Sequence, residues 1–235
     1  MAADSRQATT AAAPAPDAAA AAMRRVGMFG GTFDPIHSAH LRMAEAFFAQ
    51  CRLDELRLIP AGNPYHRDRG PQASAAQRLA MVQLAIAGHP GWLADDREVM
   101  RPRPAYTVET LEELRAELGP ACQLWLLIGG DSLHQLPTWQ RWQDILQLAN
   151  IAVAVRPGFD AANLPAELQP YWRQVPDFSN SAASGTIRAL TLPPVPLSAT
   201  LLRHKLACGE DCSGLMAPEV MQYITRHRLY RSTAR

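Results

Sequence analysis

The sequence predicts an α/β fold built on a doubly wound parallel sheet. Apolar runs of strand length alternate with segments of helical periodicity along most of the chain. Two of those runs, around residues 123–128 and 151–155, are apolar without interruption, as expected of central parallel strands buried on both faces. Glycine-rich turns then close several runs, where such sheets bind ligands beyond the carboxyl ends of their strands.

Residues 24–29 read as the first strand and 38–50 as a helix with Leu41, Ala44 and Phe48 on one face. Leu56 to Pro60 is a short second strand, followed by a Pro/Gly/Asn loop that carries Tyr65, His66 and Arg67. Ser74 fits the N-cap of a helix over 75–87, with Leu79, Val82 and Ile86 in phase and Gly88 to Gly91 as its stop. Residues 92–99 read as a strand. After the Arg101-Pro-Arg-Pro loop, Thr107 fits the N-cap of a helix over 108–118.

The strand at 123–128 ends in Gly129-Gly130-Asp131 and leads into a helical stretch containing Trp139 and Trp142. Residues 156–184 are rich in Pro, Asn, Ser and Ala and read as irregular. A last strand over 186–192 and two closing helices, 198–206 and 218–227, complete the chain. Residues 1–22 are Ala-rich with interspersed Pro and Asp and read as a disordered leader, which leaves 23–235 as one domain with 198–235 as its helical C-terminal part.

Composition narrows the function. The 235 residues carry a net charge of +1, so no global field points to nucleic acid or to an anionic membrane. No stretch approaches the roughly 18–20 uninterrupted apolar residues of a membrane span, and a cytoplasmic location is expected. Lys205 is the sole lysine, so gripping phosphate falls to arginines, whose fork suits phosphate oxygens. Cys51, Cys122, Cys208 and Cys212 are too few and too scattered for a disulfide framework and read as reduced thiols. A homo-oligomer is compatible with the sequence, which does not fix the oligomeric state.

The chemistry concentrates in Val26 to Arg42. A strand ends in Gly30-Gly31-Thr32-Phe33, a turn carries Pro35, and His37 and His40 then open a helix. Glycines let backbone approach a ligand, and a helix start offers free N–H groups and a favourable dipole to anions. Two histidines three residues apart share one helix face. They can donate to a polyphosphate and stabilise charge moving onto a leaving group, or they can chelate a metal. The stretch is neither a dinucleotide fingerprint nor a Walker motif, and H-E-x-x-H is absent. By residues alone, nucleotide and metal both stay open.

Gly30-Gly-Thr-Phe-Asp-Pro-Ile-His37-Ser-Ala-His40 resembles the signature of the nucleotidyltransferase superfamily, and more narrowly that of the bacterial nicotinate-nucleotide adenylyltransferases. Ala39 stands where that family usually keeps glycine. The resemblance runs from Arg25 to Arg231. Pro60 to Arg67 is similar to a loop ending in Pro-His-Lys, with Arg67 in place of the lysine. Tyr106-Thr107-Val-Glu-Thr-Leu resembles the segment whose backbone holds the pyridine carboxylate. Gly129-Gly-Asp131 is similar to the turn whose aspartate accepts from ribose hydroxyls, and Val155-Arg156-Pro-Gly to a strand end near base and ribose. Trp139 resembles the residue that stacks on the pyridine. Ser198-Ala-Thr200-Leu-Leu-Arg203 is similar to the closing Ser-Ser-Thr-x-Ile-Arg motif.

The resemblance implies a Rossmann-like nucleotidyltransferase fold and transfer of the adenylyl group of ATP to nicotinate mononucleotide, with Mg2+ bridging phosphates. It implies catalytic roles for His37, His40 and Arg203, and ATP contacts from Gly30, Gly31, Thr32, Phe33, Arg67, Asp131, Ser198 and Thr200. Tyr106, Thr107, Trp139 and Arg156 would bind the pyridine substrate, and no protein metal site is expected. Another adenylyl- or cytidylyltransferase of the superfamily, such as one acting on phosphopantetheine, is the nearest alternative. A hydrolase with a metal on His37 and His40, and a nucleotide-binding regulator without catalysis, belong to other classes.

Overall fold

The computed structural model of the chain describes residues 23–62, 70–155, 158–174, 178, 182–193 and 196–231. Six strands form one all-parallel sheet: β1 (Arg25–Gly31), β2 (Glu55–Pro60), β3 (Trp92–Ala94), β4 (Gln123–Gly129), β5 (Asn150–Ala154) and β6 (Ile187–Leu190), in the order β3-β2-β1-β4-β5-β6. The order reverses between β1 and β4, which pair in register from Arg25↔Gln123 to Phe29↔Leu127. Crossovers diverge from that point, so a crevice opens beyond the carboxyl ends of these two strands.

Helices cover both faces, which is why the central strands carry apolar runs such as Leu124–Ile128 of β4 and Ile151–Ala154 of β5. They are α1 (Ser38–Gln50), α2 (Ala75–Ile86), α3 (Thr107–Leu118), α4 (Gly130–Gln135), α5 (Trp142–Leu148), α6 (Ala199–Cys208) and α7 (Pro218–Arg226). Alternate residues of β4 serve opposite cores. Trp125 and Leu127 join Phe47, Leu56, Val82 and Ile224 on one side. Leu124, Leu126 and Ile128 join Val26, Leu111, Leu114 and Ile145 on the other. No helix among the described residues is long and apolar enough to cross a membrane.

Leu41, Ala44 and Phe48 of α1 pack against one core, with Phe47 fully buried there as well. The structure corrects three local expectations. β3 stops at Ala94 rather than running to 99, because the Asp95 carboxylate accepts from the Arg97 N–H at 3.1 Å and turns the chain. The N-cap of α3 is Tyr106, with extended backbone and no side-chain cap, and Thr107 is the first helical residue. The stretch after β4 is not one helix. A 3₁₀ turn over Leu136–Thr138, with Pro137 near its start, separates α4 from α5 and leaves Trp139 extended.

Candidate active site

β1 ends in Gly30 and Gly31, and a cavity opens on each side of that end. The larger, about 720 Å³, is walled by Phe33, His37, Ala39 and His40, by Gly129 to Asp131 after β4, and by Leu197 to Leu201 at the start of α6. The smaller, about 360 Å³, is walled by Thr32, Gly62, Glu98, Tyr106, Thr107 and Trp139 among others. Gly30 and Gly31 line both. A Cβ on Gly31 would sit 2.9 Å from the Phe33 ring, so glycine lets the two cavities meet there.

Phe33 has a left-handed backbone, φ 48°, which a bulky residue rarely adopts. Its buried ring meets Phe29 and His40 edge-on, at centroid distances of 5.3 and 5.2 Å. His37 is the N-cap residue of α1, and its own N–H donates to His40 Nδ1 at 3.3 Å. That bond leaves the His40 proton on Nε2. Burial lowers the His37 imidazole to about 4. Burial, and next the charge His37 would carry, hold His40 well below the ordinary histidine range. Both rings are therefore neutral at neutral pH. His37 Nδ1 is buried with no hydrogen-bond partner. In the first turn of α1 the Ser38 N–H is already taken by the Leu215 carbonyl at 2.9 Å.

On α6, Ser198 caps the helix by accepting from the Leu201 N–H at 3.2 Å. Arg203 donates to the Asp34 carbonyl at 2.7 Å and to the Thr200 hydroxyl at 3.3 Å, so it lies at the margin of the larger cavity. Asp131 stands exposed in the first turn of α4 and is the one acidic residue among the described residues on that cavity's wall. A single carboxylate fits a magnesium ion carried by phosphates and water better than a protein cage. Neither His37 nor His40 belongs to a group of three metal-ligating side chains among the described residues.

The structure thus gathers His37, His40, Gly30, Gly31, Phe33, Asp131, Ser198 and Thr200 around one cavity, with Arg203 beside it. Tyr106, Thr107 and Trp139 surround the other. Thr32 faces the second cavity rather than the first. Arg67 and Arg156 lie outside the described residues. Three supporting residues were not singled out from the sequence. Arg78, nearly fully buried, donates to the carbonyls of Thr32, Gly62 and Ala73 and so ties together two segments of the smaller cavity's wall. Asp34 accepts from the Gln72 and Ala73 N–H groups and from the Tyr230 hydroxyl. Glu98, on the smaller cavity's wall, accepts from the Thr110 hydroxyl, and burial raises its carboxyl above the usual range. An arginine on the apolar face of α2 was the one visible signal for any of them.

Residues 28–205 match the cytidylyltransferase-like family model. A Chromobacterium violaceum protein named as a probable nicotinate-nucleotide adenylyltransferase is 63% identical over 209 residues, 88% of this chain and 99% of its own length. A Laribacter hongkongensis protein of the same name is 52% identical, over 88% of this chain and 94% of its own. Among solved structures, nicotinic acid mononucleotide adenylyltransferase of Plasmodium falciparum complexed with NaAD superposes with a TM-score of 0.66 at 15% identity. That match covers 88% of this chain and 97% of the other, and shares the fold.

Proposed function

The chain belongs to the nicotinate-nucleotide adenylyltransferases of the cytidylyltransferase-like family, and from that premise we infer that it joins the adenylyl group of ATP to nicotinate mononucleotide. The products are nicotinate adenine dinucleotide and pyrophosphate, a step of NAD biosynthesis. One observation carries the reading: two cavities of nucleotide scale meet at Gly30–Gly31, one beside paired histidines and one beside a helix start and a tryptophan.

In this reading ATP occupies the larger cavity, with its triphosphate against His37, His40, Thr200 and Arg203. The mononucleotide places its pyridine against Trp139 and the start of α3. Its phosphate oxygen then attacks the α-phosphorus across the glycine pair. The new P–O bond forms as the bond to the β-phosphate oxygen breaks, and no covalent enzyme intermediate is required. Charge shifts onto pyrophosphate, so catalysis is positioning and charge stabilisation. The neutral imidazoles supply N–H donors, His40 through Nε2, and Arg203 supplies the fixed charge. Asp131, on the wall of the larger cavity, would meet a ribose hydroxyl or the water shell of magnesium carried by the triphosphate, and that ion would supply neutralisation of phosphate charge. Thr32, facing the smaller cavity, would meet the attacking phosphate rather than the γ-phosphate.

We assign the activity to residues 23–235 and, on the four free cysteines, to the cytoplasm. The test is pyrophosphate release from ATP with nicotinate mononucleotide, nicotinamide mononucleotide and phosphopantetheine compared side by side. Release with the first alone, or far faster with it, is expected. Release with phosphopantetheine alone would overturn the substrate, and no release at all would overturn the activity.

A further inference from the structure

We propose that Tyr230 is a positioning residue for adenylyl transfer: its hydroxyl saturates the Asp34 carboxylate, so that Arg203 stays directed at the triphosphate instead of folding onto Asp34. The proposal rests on the role given above to Arg203. Asp34 is buried, with 3% of its surface exposed. Its Oδ2 accepts from the Gln72 N–H at 2.9 Å, and its Oδ1 from the Ala73 N–H at 3.1 Å and the Tyr230 hydroxyl at 2.8 Å. Arg203 Nη1 donates to the Asp34 backbone carbonyl at 2.7 Å yet stays 3.8 Å from Oδ2. The cation is within reach of the carboxylate and does not close on it.

A buried carboxylate takes every donor it can reach, because an unmet lone pair there is costly. Three neutral donors already occupy Asp34. If the Tyr230 donor goes, the nearest replacement is the Arg203 guanidinium, at a cost in its reach toward Thr200 and the cavity. The segment that follows α7 bends sharply before that hydroxyl. Arg228 and Tyr230 both adopt left-handed backbone, φ 53° and 58°, directly after α7. The tyrosine side chain is buried in the core beside α2 and α7. Burial and the Asp34 charge hold the phenol far above its ordinary range, so it remains a donor at any working pH.

The test is a double-mutant cycle of Tyr230→Phe and Arg203→Ala, read as kcat and KM by pyrophosphate release. Tyr230→Phe alone is expected to lower kcat/KM for ATP about tenfold, leave KM for nicotinate mononucleotide unchanged, and cause little or no further loss in the Arg203→Ala background. Additive losses, with Arg203→Ala itself impaired, would overturn the role of Tyr230 and leave that of Arg203 standing. An Arg203→Ala enzyme of normal turnover would remove both roles together. A Tyr230→Phe chain that does not fold would assign the hydroxyl to stability alone.

Discussion

The imidazoles of His37 and His40 lie stacked, 3.8 Å between centroids and 24° from parallel, while the His37 N–H donates to His40 Nδ1. Two rings this close cannot both carry a proton without strong repulsion. Both rings are therefore uncharged at neutral pH, ordered by the backbone bond, with Phe33 edge-on against His40. A neutral pair costs no charge burial, and in the proposed reaction Arg203 would supply the fixed charge.

His40→Ala removes a ring that lines the larger cavity. If it donates to charge developing on the leaving pyrophosphate, turnover falls about 10²-fold or more. Its stacking partner His37 remains, so the fold should persist. Steady-state pyrophosphate release with circular dichroism checks both halves. A nearly normal rate in a folded variant would remove His40 from the catalytic machinery.

The lowered His37 basicity is also a statement about stability. Its folded value, about 4, lies below the ordinary 6.5, so the unfolded chain binds the proton first as pH falls. The sign follows: stability is fully present above pH 6.5 and is lost as pH drops from there toward 4. His37 alone contributes on the order of 3 kcal/mol across that window. His37→Asn should flatten this part of a thermal-midpoint profile measured between pH 7 and 4. An equally steep profile in the variant would locate the acid sensitivity elsewhere. ATP, by placing negative charge beside the pair, should raise both values and draw in protons on binding near pH 6, measurable by calorimetry in two buffers.

How much of this was open to sequence reading depends on reach along the chain. β1, β4 and β5 were legible because a strand buried on both faces carries an apolar run, here Val26–Phe29, Leu124–Ile128 and Ile151–Ala154. The cluster of Gly30, His37 and His40 was legible because all of it falls within one strand–turn–helix unit. Asp34 was in plain view, but its partners Arg203 and Tyr230 lie 169 and 196 residues away, and only the fold joins them. Arg78 was hidden for the opposite reason. It occupies a core position of α2 where periodicity leads one to expect an apolar residue, and its three backbone acceptors come from two connections, the one after β1 and the one between β2 and α2. Tyr106 and Thr107 show a finer limit. Threonine is the better capping residue, but the extended backbone of Tyr106 fixes the helix start one residue earlier.

Trp139 shows what the break between α4 and α5 does. Released from helix, its ring lines the smaller cavity while remaining packed against the core on that side of the sheet. Stacking of a base-like ring on an aromatic contributes about 1–3 kcal/mol. Trp139→Ala should therefore raise KM for nicotinate mononucleotide roughly tenfold or more, with KM for ATP little changed. Trp139→Phe should recover most of the loss. Equal increases in both KM values would mean that the residue acts through the core and not through the pyridine.

Gly62 and Gly129 separate packing from chemistry at the two cavities. A Cβ on Gly62 would stand 2.0 Å from the backbone carbonyl of Glu98, an atom fixed by the wall of the smaller cavity. No side-chain rotation relieves that contact, so the segment itself must move. The Gly62 carbonyl is also held by Arg78 at 2.9 Å, which resists the movement. Gly62→Ala should cost about 1–3 kcal/mol or more, as overpacking does, and lower the thermal midpoint by several degrees for a chain of this size. Gly129, on the wall of the larger cavity, has nothing within 4 Å of an added Cβ and an ordinary extended backbone, φ −81°. Gly129→Ala should leave the midpoint unchanged within error. Any loss of activity there would report on ligand approach rather than on folding. The two variants measured together, by thermal melt and by KM for each substrate, test whether the smaller cavity has the fixed wall that the Gly62–Glu98 contact requires. A Gly62→Ala protein as stable as the parent would mean that this wall yields.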